Sequence, residues 1–374
     1  MTRILHIVLN EFKPDNRVLK QCRTLVDAQY DVSIAALWKA DRKQFELIDG
    51  VKVFRYKLKT AFFPKLNIFL IFKYIEFTIY ILKNFRSVNV IHCHDLGPLP
   101  IAFLIKMLFH KKLKIIYDAH EYQCHRHNIT TISRNISYFL ERTLTPRVNA
   151  FITVSNSISK CYGADYAIDA PTVILNVPGF QSKPKSNLLR TIHKIPVNHT
   201  IFLYQGLLGY GRGIENILAA MKKLKDHPVS FVFMGYGPLS EDIIKSSYSS
   251  QNIFFQSAVS QSVLLDYTAS ADYGVNLTVN TCLSRYYALP NKLFEYTMAG
   301  IPSIVSDHYE RATFVKQNNV GHVVEDNNID AIVETFKKVS TCDSSQFNAS
   351  VQNVALQYNW EIESRKLLDL YARL

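Results

Sequence analysis

Short apolar runs rich in β-branched residues recur along this chain and alternate with longer stretches whose apolar positions return every three or four residues. The runs at 4–9, 31–37, 51–56, 89–92, 114–117, 150–154 and 172–175 read as buried strands. Between them, 17–28, 64–83, 98–108 and 131–144 carry helical periodicity. Strand and helix in alternation predict βαβ units and a parallel sheet. A polar, proline-containing stretch at 181–200 interrupts the pattern and reads as an interdomain linker. The alternation then restarts, with strands expected at 201–205, 230–234, 253–256, 273–276, 303–306 and 322–324 and helices at 214–224, 260–270, 292–299 and 329–339. The predicted architecture is α/β, with two Rossmann-like doubly wound domains, at 1–180 and 200–357, facing a central cleft. Ligands of such open sheets sit beyond the carboxyl ends of the strands.

Composition changes the picture little, and charge changes it more. Of 374 residues 48% are hydrophobic, enough for a sizeable core and too many for a disordered chain. The six cysteines form no C-x-x-C pair, which disfavours a zinc ribbon or a disulfide framework. The first residues read as a buried strand, so a cytoplasmic location is expected. The net charge of +12 is unevenly divided: residues 1–190 hold 28 Lys+Arg against 14 Asp+Glu, and residues 191–374 hold 15 against 17. A basic first half fits an anionic partner such as a membrane surface, although a merely soluble basic face would give the same count. Within it, residues 61–85 are the most apolar, interrupted by Lys73 and Glu76 and bracketed by Lys57, Lys59, Lys65, Lys83 and Arg86. The segment suits a helix lying among lipid headgroups, peripheral on the inner membrane face. A core helix of an α/β domain shares that composition.

Two clusters carry chemistry. Gln205-Gly-Leu-Leu-Gly-Tyr-Gly-Arg-Gly213 follows a strand and opens a helix, and Gly235 and Gly237 follow another strand. Gly206, Gly209, Gly211, Gly235 and Gly237 let backbone approach a phosphate, a helix N-terminus favours its charge, and Arg212 offers a fork of donors. A glycine-rich turn with a surface arginine would leave the same trace. The second cluster, PNKLFEYTMAGIPSIVSD at 290–307, places Lys292 and Glu295 three apart on one helical face. The two could simply form a surface pair, but a lysine at a helix start opposes the helix dipole, which makes sense if it meets an anion, while Glu295 can accept from vicinal hydroxyls.

With these two runs, MGYGPL at 234–239, DNRV at 15–18, YDAHEY at 117–122, TVS at 153–155, ADYGV at 271–275 and NWE at 359–361, the chain resembles retaining family 4 nucleotide-sugar glycosyltransferases of the GT-B fold. The resemblance implies that Arg212 and Lys292 hold a donor diphosphate and that Glu295 binds ribose. Glu295 matches the second glutamate of the family's E-x7-E motif, and the first falls at Tyr287. Donor-sugar contacts then pass to Asn291 and backbone near it, and backbone near Val259 faces the base. His120 matches the histidine that reaches the donor sugar. Asp15, Asn16, Arg17, His94, Asp95 and Glu121 become acceptor-side groups, with a capping role equally open to Asp15. The final residues, 358–374, are expected to rejoin the first domain.

Histidines and cysteines at 92–95 and 120–127 invite a metal reading, but their spacing matches no zinc motif and no D-x-D occurs in the chain. No nucleic-acid motif accompanies the basic residues. What the resemblance implies is a retaining, metal-independent, cofactor-free hexosyltransferase. It would move sugar from a nucleotide diphosphate donor, a UDP-sugar foremost, to a glycan or lipid-linked acceptor in surface polysaccharide synthesis, such as capsule or lipopolysaccharide. A nucleotide-sugar epimerase of the same fold and a catalytically silent membrane-associated scaffold are the rivals.

Overall fold

The computed structural model describes residues 1–13, 16–64 and 67–374, with Asn16, Asn67 and Ile68 described by their backbone only. The chain divides into two compact units, one of Met1–Leu175 with Ser364–Leu374 and one of Asn176–Glu363.

The first unit contains β1 (Arg3–Ile7), α1 (Asn16–Asp27), β2 (Asp31–Leu37), β3 (Phe45–Ile48), β4 (Val51–Tyr56), α2 (Asn67–Asn84), β5 (Val90–His94), α3 (Leu99–Leu108), β6 (Lys114–Asp118), α4 (Thr131–Leu144), β7 (Ala150–Thr153), α5 (Asn156–Tyr166) and β8 (Thr172–Val173). They form one sheet in the order β3-β4-β2-β1-β5-β6-β7-β8, parallel except for β3. The periodicity reading passed over β3. Its signal lay in Asp49-Gly50, whose positive φ values of 48° and 80° make the tight turn that returns β3 onto β4. Order reverses about β1 and β5, so the carboxyl ends of these strands bound a topological switch point. The segment 61–85 is not one helix: a 3₁₀ turn (Lys59–Phe62) precedes α2.

The second unit contains α6 (Leu188–His193), β9 (Thr200–Leu207), α7 (Ile214–Lys223), β10 (Val229–Tyr236), α8 (Ser240–Ser249), β11 (Ile253–Ser257), α9 (Gln261–Thr268), β12 (Tyr273–Asn276), α10 (Leu283–Tyr286), α11 (Asn291–Met298), β13 (Ser303–Ser306), α12 (Tyr309–Asn318), β14 (Gly321–Val324), α13 (Ile329–Ser340), α14 (Asn348–Gln357) and the start of α15 (Trp360–Ala372). Its six strands are all parallel, in the order β11-β10-β9-β12-β13-β14, with the switch point at β9 and β12. Both faces of such a sheet are covered, which explains why its strands read as continuous apolar runs rather than alternating ones.

The stretch 181–200 is not a free linker. Lys183 and Lys185 pair with Asp266 (2.6 Å) and Asp272 (2.9 Å), and Leu189 of α6 is fully buried beside Ile195 and Ile201. Its polar composition records ion pairs within the second unit. Among the described residues, no helix is long and apolar enough to cross a membrane.

Candidate functional site

In the second unit β9 ends at the glycine-rich run. Gly206 has φ +112°, and a Cβ there would lie 3.0 Å from Lys292 Cε; a Cβ on Gly235 would lie 1.8 Å from the Gly206 carbonyl oxygen. Missing side chains at these two positions let β9, β10 and α11 converge around a cavity of about 260 Å³. Gly206, Gly235, Val259, Asn291, Lys292 and Glu295 line it. The expected site residues Gly209, Gly211, Arg212 and Gly237 do not line it. Gly213 has φ +78° and starts α7 where any Cβ would meet the Leu277 carbonyl oxygen at 1.8 Å.

Lys292 is the second residue of α11. Its ammonium lies 5.3 Å over the Tyr204 ring, and burial together with Arg212 pushes its pKa down to about 8. Glu295 does not close an ion pair with it among the described residues. Instead Glu295 accepts from Gln205 Nε2 (2.6 Å), and Gln205 Oε1 accepts from the Thr268 hydroxyl (2.8 Å). Lys292 thus feels positive Arg212 and Arg311 beside a carboxylate oriented by a neutral amide.

Two further arginines belong to this neighbourhood and were not read from the sequence. Arg311 of α12 is 2% exposed, and its Nη2 donates to the Arg285 carbonyl oxygen (3.0 Å). Burial, with Arg212 and Arg285 nearby, pushes its pKa down to about 9, against the pull of Asp326. Arg285 Nη1 donates to the Gly211 carbonyl oxygen (3.2 Å). A buried Arg311 with half-buried Lys292, Arg212 and Arg285 around it favours an anion joining them. No spacing rule finds Arg311. Arg285 stands two residues before Tyr287, whose ring meets those of Tyr286 and Tyr309 where a carboxylate was expected.

In the first unit, parallel pairing sets His6 of β1 opposite His92 of β5, and His94 lies two residues on, so all three imidazoles share one face. Their centroids are 4.6 Å (His6–His92), 4.6 Å (His92–His94) and 5.2 Å (His6–His94) apart. His6 Nδ1 meets His94 Nε2 at 2.9 Å, and His94 Nδ1 meets His120 Nε2 at 3.1 Å, a chain of imidazoles from the sheet to the candidate sugar-facing histidine. Burial holds His94 neutral, with a pKa near 3. For His120 burial opposes protonation, but the Asp118 and Asp95 carboxylates outweigh it and raise its pKa.

Arg17 corrects the sequence expectation. It is 3% exposed and grips Asp118 through Nη2 (2.7 Å) and Nε (3.2 Å), while Nη1 donates to the Ile174 carbonyl oxygen (2.8 Å). Although burial disfavours the charge, Arg17 and His120 hold the Asp118 carboxyl well below its usual range. Arg17 is therefore a core counter-ion and not an acceptor-facing group. His94 is equally buried and reaches the surface only through His120. Asp15 lies outside the described residues, and Asn16 enters only as the first backbone position of α1.

Asp95 stands in the left-handed region (φ 63°), held there as Oδ1 accepts from the His120 amide (3.1 Å) and Gln123 Nε2 (3.0 Å). It lines a second cavity, of about 390 Å³, with Tyr74, Gln123, Arg126 and Ser137. Glu121 faces Arg126 at 3.8 Å. The histidine nitrogens approach one another closely enough to raise the question of a metal. However, the ring planes of His6, His92 and His94 lie within 23° of parallel at stacking distance. His6 Nδ1 and His94 Nε2 are already spent on each other as hydrogen-bond partners at 2.9 Å. In the other grouping, Asp118 is already taken by Arg17.

Residues 15–177 match the family described as Glycosyltransferase Family 4, and residues 186–353 match Glycosyl transferases group 1. No curated protein matches the chain. Among solved structures, the chain is similar to sucrose-phosphate synthase from Thermosynechococcus elongatus (15% identity, 100% of this chain and 99% of that one, TM-score 0.80). It is also similar to HepE from Anabaena, solved with UDP and glucose (12%, 100% and 100%, 0.73), and to a glycosyltransferase from Rickettsia africae (15%, 99% and 97%, 0.71). With one match over most of the first unit, a second over most of the other, and a fold common to these enzymes, the chain belongs to the GT-B glycosyltransferases.

Proposed function

We propose that the chain transfers a hexose-type sugar from a nucleoside diphosphate donor, of the UDP class, to a glycan or lipid-linked acceptor, with retention and without a metal ion. The observation that carries this reading is the crowding of cations at the second-unit cavity, where burial and the like charges of Arg212 and Arg311 lower the pKa of Lys292, in the wall, to about 8, with Glu295 pulling the other way. A dianionic diphosphate supplies the missing charge. UDP in HepE supports the donor class.

Lys292, with Arg212 and the α7 N-terminus, holds the diphosphate and takes up the charge that grows on its leaving oxygen as the bond to the sugar's anomeric carbon breaks. An acceptor hydroxyl forms the new bond to that carbon from the same face, and its proton passes to the departing diphosphate. Glu295, oriented by Gln205, accepts from the ribose hydroxyls. Asn291 and backbone beside it contact the sugar in place of the carboxylate that Tyr287 lacks, and Val259 faces the base. On the acceptor side, Asp95 and Glu121 present carboxylates near the first-unit cavity, while His120 addresses the donor sugar. The basic first unit and α2 keep the enzyme peripheral on the inner, cytoplasmic membrane face, in surface polysaccharide synthesis.

A thermal-shift panel of UDP, GDP, ADP, CMP and their sugar conjugates tests the donor site. A ligand at a hundredfold its Kd adds about 2.7 kcal/mol of stability. UDP compounds are expected to raise the wild-type midpoint and to leave Lys292→Ala and Glu295→Ala unmoved. Equal stabilisation of both variants would remove the proposed donor site.

A further inference from the structure

Helix α4 is turned opposite to an ordinary surface helix of an α/β domain. Its buried residues are Ser137 and Glu141, whereas Ile132, Ile136 and Phe139, on one stripe at helical spacing, are 74%, 56% and 67% exposed. This setting is fixed from inside. The Glu141 carboxylate accepts from the hydroxyls of Tyr117 (2.6 Å), Tyr162 (3.1 Å) and Tyr166 (2.8 Å), with Cys124 Sγ at 3.2 Å. Rotating the helix to hide its isoleucines would strand a carboxylate in the core and leave three phenols without their acceptor.

The outward apolar stripe has neighbours. Helix α3 packs against both α2 and α4. On α2, Ile71, Ile75 and Ile79 recur every fourth residue and are exposed, and α3 ends in exposed Met107 and Leu108, followed by exposed Phe109. Large apolar residues exposed on three neighbouring helices mark an interaction surface. The exposed charged residues on these helices are all cations. Their only acidic residues are Glu76 and Glu141: Glu141 is buried, and half-buried Glu76 is engaged by the Thr60 hydroxyl and amide, the Lys59 amide and the Tyr56 hydroxyl. Lys83, Arg134 and Arg142 remain exposed on the helices, with Lys111 and Lys112 just beyond α3. Exposed apolar residues on helices whose exposed charges are all cations complement an anionic lipid surface, the rings and isoleucines entering the headgroup boundary and the cations meeting phosphates.

We propose that α4, together with α2 and the C-terminal end of α3, is a docking face for an anionic lipid bilayer, with α4 as an anchor in its own right. The proposal rests on the peripheral-membrane reading above and extends it from α2 to a second helix.

Flotation with vesicles of phosphatidylcholine, alone or mixed with phosphatidylglycerol, tests it on the full chain. The wild type is expected to float with the mixed vesicles, to stay behind with the neutral ones and to be released by salt. Ile136→Asp with Phe139→Asp on α4, and Ile71→Asp with Ile75→Asp on α2, should each weaken binding by about tenfold or more. Arg134→Glu with Arg142→Glu should weaken binding only to the anionic vesicles. All six positions lie in the first unit, so nucleotide stabilisation of the second unit reports whether each variant retains its donor site. If the α2 variant loses binding and the α4 variant keeps it, α4 is not an anchor, although the membrane reading survives. If the wild type floats with no vesicle, both fall while the donor site stands on its own assay. If the α4 variant instead abolishes a concentration-dependent dimer seen by light scattering, the face belongs to a second copy of the chain and the proposal is overturned.

Discussion

The two units handle buried charge in opposite ways at the carboxyl ends of their strands. In the first, Asp118 is compensated on all sides: Arg17 grips it through two nitrogens, Gln21 donates at 2.9 Å, and His120 lies 3.5 Å away. In the second, Lys292 and Arg311 each feel Arg212 as a like charge, and Glu295 takes its hydrogen bond from a neutral amide. A site whose charge is balanced by its own chain is built for stability and positioning. One left with surplus charge is built to receive a ligand of the other sign. The same topological feature, a switch point in a parallel sheet, thus serves two purposes according to which charges are completed internally.

The largest effect should come from breaking the balanced side. Arg17→Ala leaves Asp118 buried and unpaired, and should cost about 3–5 kcal/mol, read as a lower unfolding midpoint of the first unit in urea. An unchanged midpoint would return Arg17 to the acceptor-facing role that the sequence suggested. The unbalanced side should respond with the opposite sign. Lys292→Ala removes a cation repelled by Arg212, so the nucleotide-free protein should keep or raise its thermal midpoint while losing nucleotide stabilisation. A loss of stability without ligand would mean that the cluster is already compensated.

Next comes pH. Unfolded imidazole takes a proton below its ordinary value of 6.5, but buried His94 resists until about 3. Its contribution is therefore intact above 6.5 and is lost as pH falls, by about 2 kcal/mol at pH 5. His120, with its pKa raised, works in reverse: its stabilisation is present below 6.5 and is lost as pH rises through the folded value. His94→Gln should flatten the acid side of the stability profile measured from pH 7 to pH 5, and an unchanged slope would place the titrating group elsewhere. The smallest effect is expected from Gln205→Ala, which frees Glu295 without removing it. Loss of one such hydrogen bond should weaken nucleotide binding by about 1 kcal/mol in calorimetry.

Much of the second-unit cavity was legible in the sequence. Lys292 and Glu295 are three residues apart on a helix, and Gly206 and Gly235 end strands, so local periodicity alone aimed them at one cavity. Local rules failed where a partner is remote or an element is short. The antiparallel β3 escaped because four residues carry little periodicity, although Asp49-Gly50 marked its turn. Helix α6 escaped because its surroundings are polar, and the lysines that made 181–200 resemble a linker pair with Asp266 and Asp272 some 80 residues away. The segment 131–144 was correctly read as a helix, but its helical period is the same whichever face turns inward.

By itself, the sequence determined the alternation of strand and helix, the two parallel sheets and the helix face that joins Lys292 to Glu295. Each of these depends on neighbours within a turn or a strand, where covalent geometry fixes the spacing. Only the tertiary structure decided that Arg17 is spent on Asp118, 101 residues away, that Arg285 and Arg311 join the cations around Lys292 and Arg212, and that α4 shows its isoleucines to solvent. Those outcomes depend on which charges meet across the fold. A buried charge takes its energy from distance in space and the dielectric around it, and neither is written along the chain.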